Sequence, residues 1–103
     1  MAKLALYGHL KAKPGKEAEV EAFLKQGATM AGQEKGTVDW FAFKEDESGA
    51  YGIFDTFNDE AGRDAHLNGE IAKALFSEET KALLAKDPTV HKIDVLAAKG
   101  PGA

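Results

Sequence analysis

Two side chains of this sequence, His66 and Asp55, combine chemistry and spacing suited to moving a proton. His66 lies near the end of the segment DTFNDEAGRDAHLNG, residues 55–69, which begins at Asp55 and follows a hydrophobic stretch. Histidine has an unperturbed pKa of about 6.5, so it can exchange a proton near neutral pH. A carboxylate in an apolar strand is costly unless it has a partner. His66 and Asp55 are therefore the candidate catalytic residues.

Each of these two residues also has a simpler explanation. His66 could be a helix-terminal histidine satisfied by solvent or by a carbonyl group, since the negative end of a helix favours a cationic ring. Asp55 could orient His66, or it could pair with Arg63. The sequence leaves both choices open.

Aromatic residues supply a possible pocket for a planar ligand. Tyr7 and His9 fall on one side of the first predicted strand, where they line either a pocket or a subunit interface, and the interface is favoured. Trp40, Phe57 and Phe76 could form an aromatic wall, although core packing alone would explain each of them.

Composition narrows the class of protein. The chain has 103 residues, which we assign to a single domain over 1–99 and a flexible C-terminal tail over 100–103. A net charge of -4 argues against a nucleic-acid partner, and no run of 18 apolar residues is present to span a membrane. With no cysteine and three scattered histidines, we expect no metal site and no cofactor. These properties fit a cytoplasmic protein.

The pattern of apolar residues predicts four strands and three helical segments. Strands are expected over 3–11, 36–45, 50–57 and 89–99, with helices ending near Gly32, over 58–67, and over 70–86 with a break near Ser77. This βαββαβ order predicts an α+β, ferredoxin-like fold, in which a four-stranded antiparallel sheet carries its helices on one face.

The second predicted strand is apolar on both sides. Phe41 and Phe43 share one side, whereas Val38, Trp40 and Ala42 share the other. Helices on one face of the sheet can cover only one of these sides. We therefore expect a second copy of the chain to cover the opposite face in a homodimer.

Three segments together resemble the antibiotic biosynthesis monooxygenase (ABM) superfamily: KPGKEAEVEAFL, TVDWFAF and FDTFNDEAGRDAHLNG. The resemblance extends over residues 3–97. It implies a dimeric α+β barrel with a pocket between sheet and helices in each subunit, and it places His66 on the helix that covers that pocket.

The sequence departs from parts of this superfamily at two places. Residues 68–71 replace a turn in which many members carry a second histidine. Leu75 and Phe76 stand where the haem-degrading branch has an iron-ligating histidine, and Gly8 corresponds to the asparagine of that branch. The resemblance therefore disfavours haem degradation.

The resemblance implies a cofactor-independent monooxygenase that acts on a quinol or related phenolic molecule. Such an enzyme needs a base, and His66 is the expected one. Two alternatives use the same pocket: a non-catalytic protein that binds a small aromatic or acyl ligand, and an isomerase that moves protons.

Helical spacing predicts which way His66 points. Residues 62, 65, 66 and 69 share a face, and three of them are the small residues Gly62, Ala65 and Gly69. We therefore expect His66 to point between the helix and the sheet with free space around its ring, and Arg63 and Asp64 to lie on the wetter side. A His66→Ala substitution should then have little effect on stability.

Overall fold

The computed structural model describes residues 3–100 of the chain. Its elements, in chain order, are β1 (Leu4–Lys11), α1 (Glu17–Ala31), β2 (Thr37–Lys44), β3 (Ala50–Phe57), α2 (Glu60–Leu67), α3 (Glu70–Leu75), α4 (Glu78–Lys81) and β4 (Thr89–Asp94). Residues 1 and 2 of the predicted domain and residues 101–103 of the predicted tail lie outside the described range.

The four strands form one antiparallel sheet in the order β2-β3-β1-β4. This order and the helical layer confirm the ferredoxin-like α+β prediction. β1 and β3 occupy the centre of the sheet, and β3 is the most buried strand. The hairpin between β2 and β3 turns at Gly49, whose φ of 88° is a conformation that glycine adopts readily.

Helix α1 packs through residues spaced three or four apart, with Val20, Leu24, Gly27 and Ala31 buried. Acidic residues in its first turn complement the positive end of the helix dipole. Gly27 allows a close approach by Trp40, because a Cβ atom there would lie 2.9 Å from the indole Cη2. Helix α1 therefore packs directly against strand β2.

The C-terminal half differs from the prediction in its boundaries. The break predicted near Ser77 is confirmed, because Ser77 lies between two short helices and caps the second by accepting a hydrogen bond from the Thr80 amide. The second of these helices ends at Lys81 rather than at residue 86. The last strand ends at Asp94 rather than at residue 99. No helix within residues 3–100 is long and apolar enough to cross a membrane.

The two faces of the sheet have different surroundings. On one face the helices cover a core whose largest fully buried side chains include Tyr51, Phe57 and Leu10. We call the opposite side the open face and define it by Tyr7, His9, Phe41, Phe43 and His91. Phe41 is 58% exposed and Phe43 is 38% exposed.

Candidate functional site

A cavity of about 270 Å³ lies between the helix-covered side of the sheet and helices α2 and α3. Its wall is mostly apolar and includes Ile71 and Leu75 from α3. The charged or titratable residues of the wall are Asp55, His66 and Lys92. An apolar cavity with a few polar groups is the usual form of a small-molecule site.

The register of the sheet explains how the cavity floor is built. Trp40 pairs with Asp55, Asp55 with Leu6, and Leu6 with Lys92, so these four residues form one row across all four strands. Strands are spaced by about 4.8 Å, which puts the backbones of Asp55 and Lys92 roughly 10 Å apart. Gly8 lies in the next row of residues on the same face, on the central strand β1, and its lack of a side chain deepens the cavity at that point.

His66 lies between two carboxylates. Its Nε2 is 3.0 Å from Asp55 Oδ2, and its Nδ1 is 2.5 Å from Glu34 Oε1. The imidazole is 7% exposed and Asp55 is 2% exposed, whereas the Glu34 side chain is 21% exposed. The three groups therefore form a line that runs from the cavity wall toward the surface.

The two carboxylates alter the protonation of His66. Burial is the largest single influence and lowers the pKa of the imidazole, but the hydrogen bonds to Asp55 and Glu34 and the charges of those groups together raise the pKa above its ordinary value of 6.5. Both ring nitrogens lie within hydrogen-bond distance of a carboxylate oxygen, and an imidazole donates from both nitrogens only as a cation. His66 is therefore not the free base that the sequence suggests.

The acceptor that remains free belongs to Asp55. Its Oδ1 atom is buried and has no hydrogen-bond partner among the described residues. The indole Nε1 of Trp40, the neighbour of Asp55 in the floor row, is also buried without a partner there. Asp55 and Trp40 both line the cavity, so two buried polar atoms without a partner among the described residues belong to adjacent residues of its wall. Buried polar atoms of this kind are uncommon and can mark a ligand site.

Helix α2 brings His66 to the sheet by a different face from the expected one. Its buried residues are Arg63 and His66, one turn apart, whereas Ala65 is exposed. The prediction that Arg63 lies on the wetter side is wrong. Arg63 can be buried because its Nη1 donates to the carbonyl oxygens of Ala5 and Ile93, at 3.4 Å each.

This position of Arg63 also decides between the two partners considered for Asp55. Arg63 reaches the backbone of β1 and β4, and Asp55 contacts His66 instead. The start of α2 is fixed by Asp59, whose Oδ1 accepts a hydrogen bond from the Gly62 amide at 2.8 Å. The ring of His66 does lie between helix and sheet as predicted, but carboxylates rather than free space surround its nitrogens.

The aromatic candidates separate into two groups. Trp40 and Phe76 line the cavity, whereas Phe57, also predicted for the pocket, does not line it: this side chain is fully buried and packs against His66 with its ring centroid 5.4 Å from the imidazole. Tyr7 and His9 lie on the open face and do not line the cavity, so the pocket alternative is wrong for both, while the favoured interface alternative stays a prediction. The reason is the alternation of β1, which turns Leu6 and Gly8 toward the helices and their neighbours away.

Glu34 is a site residue that the sequence does not reveal. It lies in the loop between α1 and β2, within the segment GQEKG, and nothing in its local pattern marks it as functional. The contact depends on two glycines distant in sequence: a Cβ atom on Gly36 would lie 2.9 Å from the Cα of Gly62. Their close approach holds the Glu34 loop against α2.

Comparison with solved structures identifies relatives of the chain. A protein of unknown function from Nitrosomonas europaea is 48% identical, with 98% of this chain and 96% of that chain covered and a TM-score of 0.90. No family model matches the sequence, and the curated proteins give no significant match.

More distant structures share the fold. A candidate antibiotic biosynthesis monooxygenase from Deinococcus radiodurans is 18% identical with a TM-score of 0.78, over 94% of this chain and 96% of that one. An antibiotic biosynthesis monooxygenase structure is 20% identical with a TM-score of 0.76, over 91% of this chain and 99% of that one. The chain therefore belongs to the family of the Nitrosomonas europaea protein and has the fold of the antibiotic biosynthesis monooxygenase superfamily.

Proposed function

We propose that the protein is a cofactor-independent monooxygenase that acts on a quinol or related phenol in the cavity beside Asp55. The observation that carries the proposal is the buried Oδ1 of Asp55, a carboxylate oxygen without a partner among the described residues, in a mostly apolar wall. An anionic acceptor in such a place favours a ligand that brings a hydroxyl donor.

The ligand class follows from the rest of the cavity wall. Trp40 and Phe76 provide surfaces for a planar ring, and the lowered floor at Gly8 gives that ring space. A second ligand oxygen that accepts hydrogen bonds could be met by Trp40 Nε1 or by Lys92 across the floor. An aromatic ring with two oxygen substituents, as in a quinol, satisfies these groups together.

The reaction begins with proton transfer from the substrate hydroxyl to Asp55 Oδ1. The resulting anion transfers electrons to dioxygen and forms a carbon–oxygen bond, which gives a hydroperoxide after protonation by Asp55. Loss of the ring C–H proton then breaks the O–O bond and releases water. In total the substrate loses four electrons and two hydrogen atoms, dioxygen accepts the four electrons, and one oxygen atom stays on the ring.

The cationic His66 supports this sequence electrostatically. Its Nε2 donates to Asp55 Oδ2, which leaves Oδ1, without a partner among the described residues, as the oxygen for the substrate hydroxyl. Beside a mostly apolar wall, the same positive charge stabilises the substrate anion as it forms.

Oxygen uptake with chelator-treated protein and a panel of benzo- and naphthohydroquinones tests the proposal. We expect uptake above autoxidation, with one labelled oxygen in the quinone product when ¹⁸O₂ is used. Asp55→Asn should lower turnover by about 10²–10⁴-fold, as expected for loss of a general base. The matched control Glu45→Gln, on the open face, should not change turnover. Uptake that yields only hydrogen peroxide and unlabelled quinone would contradict the proposal.

A non-catalytic binding protein is the second candidate. The contacts of His66 favour this candidate, because an imidazole whose two nitrogens both contact carboxylates has no free nitrogen that could take a proton from a substrate. For such a protein we expect saturable binding of a hydroquinone, weakened in Asp55→Asn, without oxygen uptake. Tight binding together with turnover at the autoxidation rate would select this candidate over the first.

We also propose that two copies of the chain associate through the open face. Phe41 and Phe43 are the exposed large aromatic residues of the sheet, and Tyr7 stacks between Phe43 and His91 at centroid distances of 6.4 and 6.3 Å. Exposed apolar patches of this kind commonly mark protein interfaces.

Light scattering tests the homodimer. The wild type should have twice the monomer mass of 11.0 kDa at micromolar concentration, and Phe41→Asp should return it to the monomer mass. Leu96→Asp, which changes a 94%-exposed leucine outside the sheet, is the matched control and should remain dimeric. A monomeric wild type would overturn this assembly.

A further inference from the structure

Glu34 closes the site on the side opposite Asp55. Its Oε1 accepts from His66 Nδ1 at 2.5 Å and from the Thr37 hydroxyl at 2.8 Å. The Glu34 side chain is 21% exposed, whereas Asp55 on the other side of the ring is 2% exposed. The imidazole therefore lies between a buried carboxylate at the cavity and a carboxylate that reaches the surface.

The number of carboxylates decides the charge of the ring. A neutral imidazole has one N–H donor and one acceptor nitrogen, so it can satisfy one carboxylate acceptor. Two carboxylates, one at each nitrogen, require both nitrogens to carry a proton. With Asp55 alone, a neutral ring that donates through Nε2 would suffice, so the second proton depends on Glu34.

The fold holds Glu34 at this position through backbone contact. Gly36, two residues after Glu34, packs against Gly62 on helix α2, where a Cβ atom would lie only 2.8 Å from the Gly36 carbonyl oxygen. The loop and the helix that carries His66 are thus fixed to each other without intervening side chains. Thr37 then orients the carboxylate through its hydroxyl.

We infer that Glu34 is a positioning residue of this site: it holds the Nδ1 of His66, keeps both ring nitrogens protonated, and thereby directs Nε2 to Asp55. Because Oδ2 of Asp55 is then occupied, Oδ1 is the oxygen left for the ligand. The effect of Glu34 on turnover rests on the proposed function, but its effect on His66 does not.

Histidine NMR of the full-length protein tests the inference without any substrate. The charged groups that contact His66 are Asp55 on β3 and Glu34 on the loop, while Arg63 lies one turn earlier on α2 and Lys92 on β4 lines the same cavity. Glu34→Gln removes one of the two negative charges and should lower the titration midpoint of His66. Glu45→Gln, which removes a carboxylate near His9, is the matched control and should leave the His66 titration unchanged.

The conservative variant Glu34→Asp keeps the charge but shortens the reach by one methylene. Its His66 midpoint should fall between those of Glu34→Gln and the wild type, and it provides the test on its own if Glu34→Gln does not fold. An unchanged His66 titration in the folded variants would overturn the inference.

The pH profile of turnover separates this inference from the proposed function. If the cationic ring supports catalysis, Glu34→Gln should move the alkaline loss of kcat to lower pH and change KM less. A shifted His66 titration without any oxygenase activity would support the role of Glu34 and contradict the proposed function. Oxygenase activity with an unshifted His66 titration would support the proposed function and contradict the role of Glu34.

Discussion

The two faces of the sheet each carry a histidine beside a carboxylate, and the two contacts differ in distance and in burial. On the helix-covered face, His66 is 7% exposed and lies within 3.0 Å of two carboxylates. On the open face, His9 Nε2 is 3.8 Å from Glu45 Oε2, and the side chains are 24% and 29% exposed. Glu45 also accepts a hydrogen bond from the Tyr7 hydroxyl at 2.6 Å.

This difference shows how burial changes the role of the same pair of residue types. Water screens the His9–Glu45 contact, so either residue can be removed without stranding a buried charge. Removal of His66 would strand the Asp55 carboxylate in the cavity wall, where solvation is poor. The pair on the open face is therefore a marginal contact, while the buried cluster links stability to the chemistry of the site.

The largest effect should come from His66→Ala. Contrary to the small effect expected from the sequence, it leaves Asp55 buried without its partner and should lower the free energy of unfolding by about 3–5 kcal/mol at pH 7. Urea unfolding measures the loss. The double variant Asp55→Leu/His66→Ala removes both charges and should recover part of it. A loss below about 1 kcal/mol would show that the buried histidine contributes no more to stability than the histidine on the open face.

The next effect should come from the contact that joins the Glu34 loop to α2. Gly62→Ala places a Cβ atom 2.8 Å from the Gly36 carbonyl oxygen, so backbone must move. We expect a loss of about 1–3 kcal/mol in urea unfolding, typical of overpacking. Ala65→Ser, on the exposed side of the same helix, is the control and should change stability by only a few tenths of a kcal/mol. Equal losses in the two variants would show that the glycine contact is not tight.

The pH dependence of stability should follow the raised pKa of His66. A group whose pKa is higher in the folded state than its ordinary value of 6.5 contributes its full stability below pH 6.5 and loses that contribution as the pH rises through the folded-state pKa. The stability advantage of the wild type over His66→Gln should therefore shrink with rising pH above 6.5. One proton limits the slope to about 1.4 kcal/mol per pH unit. An advantage that grows with pH would contradict the cationic ring.

The smallest effect should come from His9→Ala on the open face. Its 3.8 Å contact with Glu45 is partly exposed, so we expect a loss of at most about 1 kcal/mol in the same unfolding experiment. The measurement is made well below the concentration at which the wild type associates, so that intersubunit contacts do not contribute. A loss as large as that of His66→Ala would show that the open face is no less sensitive than the buried cluster.

The fold could be predicted because its signals are local and repeated. Alternation along β1 and β3 and the three- and four-residue spacing in α1 follow directly from which side chains must be buried. The strand order then follows from the two crossover units. The break after α3 was also visible, since Ser77 is a good helix cap.

The site could be predicted only in part, because its central contacts join distant positions. Asp55 stands out because a carboxylate in an apolar strand needs a partner, but the sequence leaves that partner open between His66 and Arg63. Glu34 could not be found, because its place depends on how closely Gly36 meets Gly62. Arg63 was placed wrongly since a hydrophobicity pattern treats arginine as solvent-exposed, although a guanidinium can be buried against backbone carbonyls.

Gly8 is the position in the cavity floor where a change of residue would alter the size of the cavity most directly. Glycine in the interior of a strand is unfavourable, because it gains no packing and loses more backbone entropy than other residues. A Cβ atom there would come no closer than 3.7 Å to its neighbours, so the backbone would accept a larger residue. The missing side chain of Gly8 therefore provides part of the space for a ligand. A larger residue at this position would reduce the cavity, and so favour a smaller ligand, without a change in the sheet.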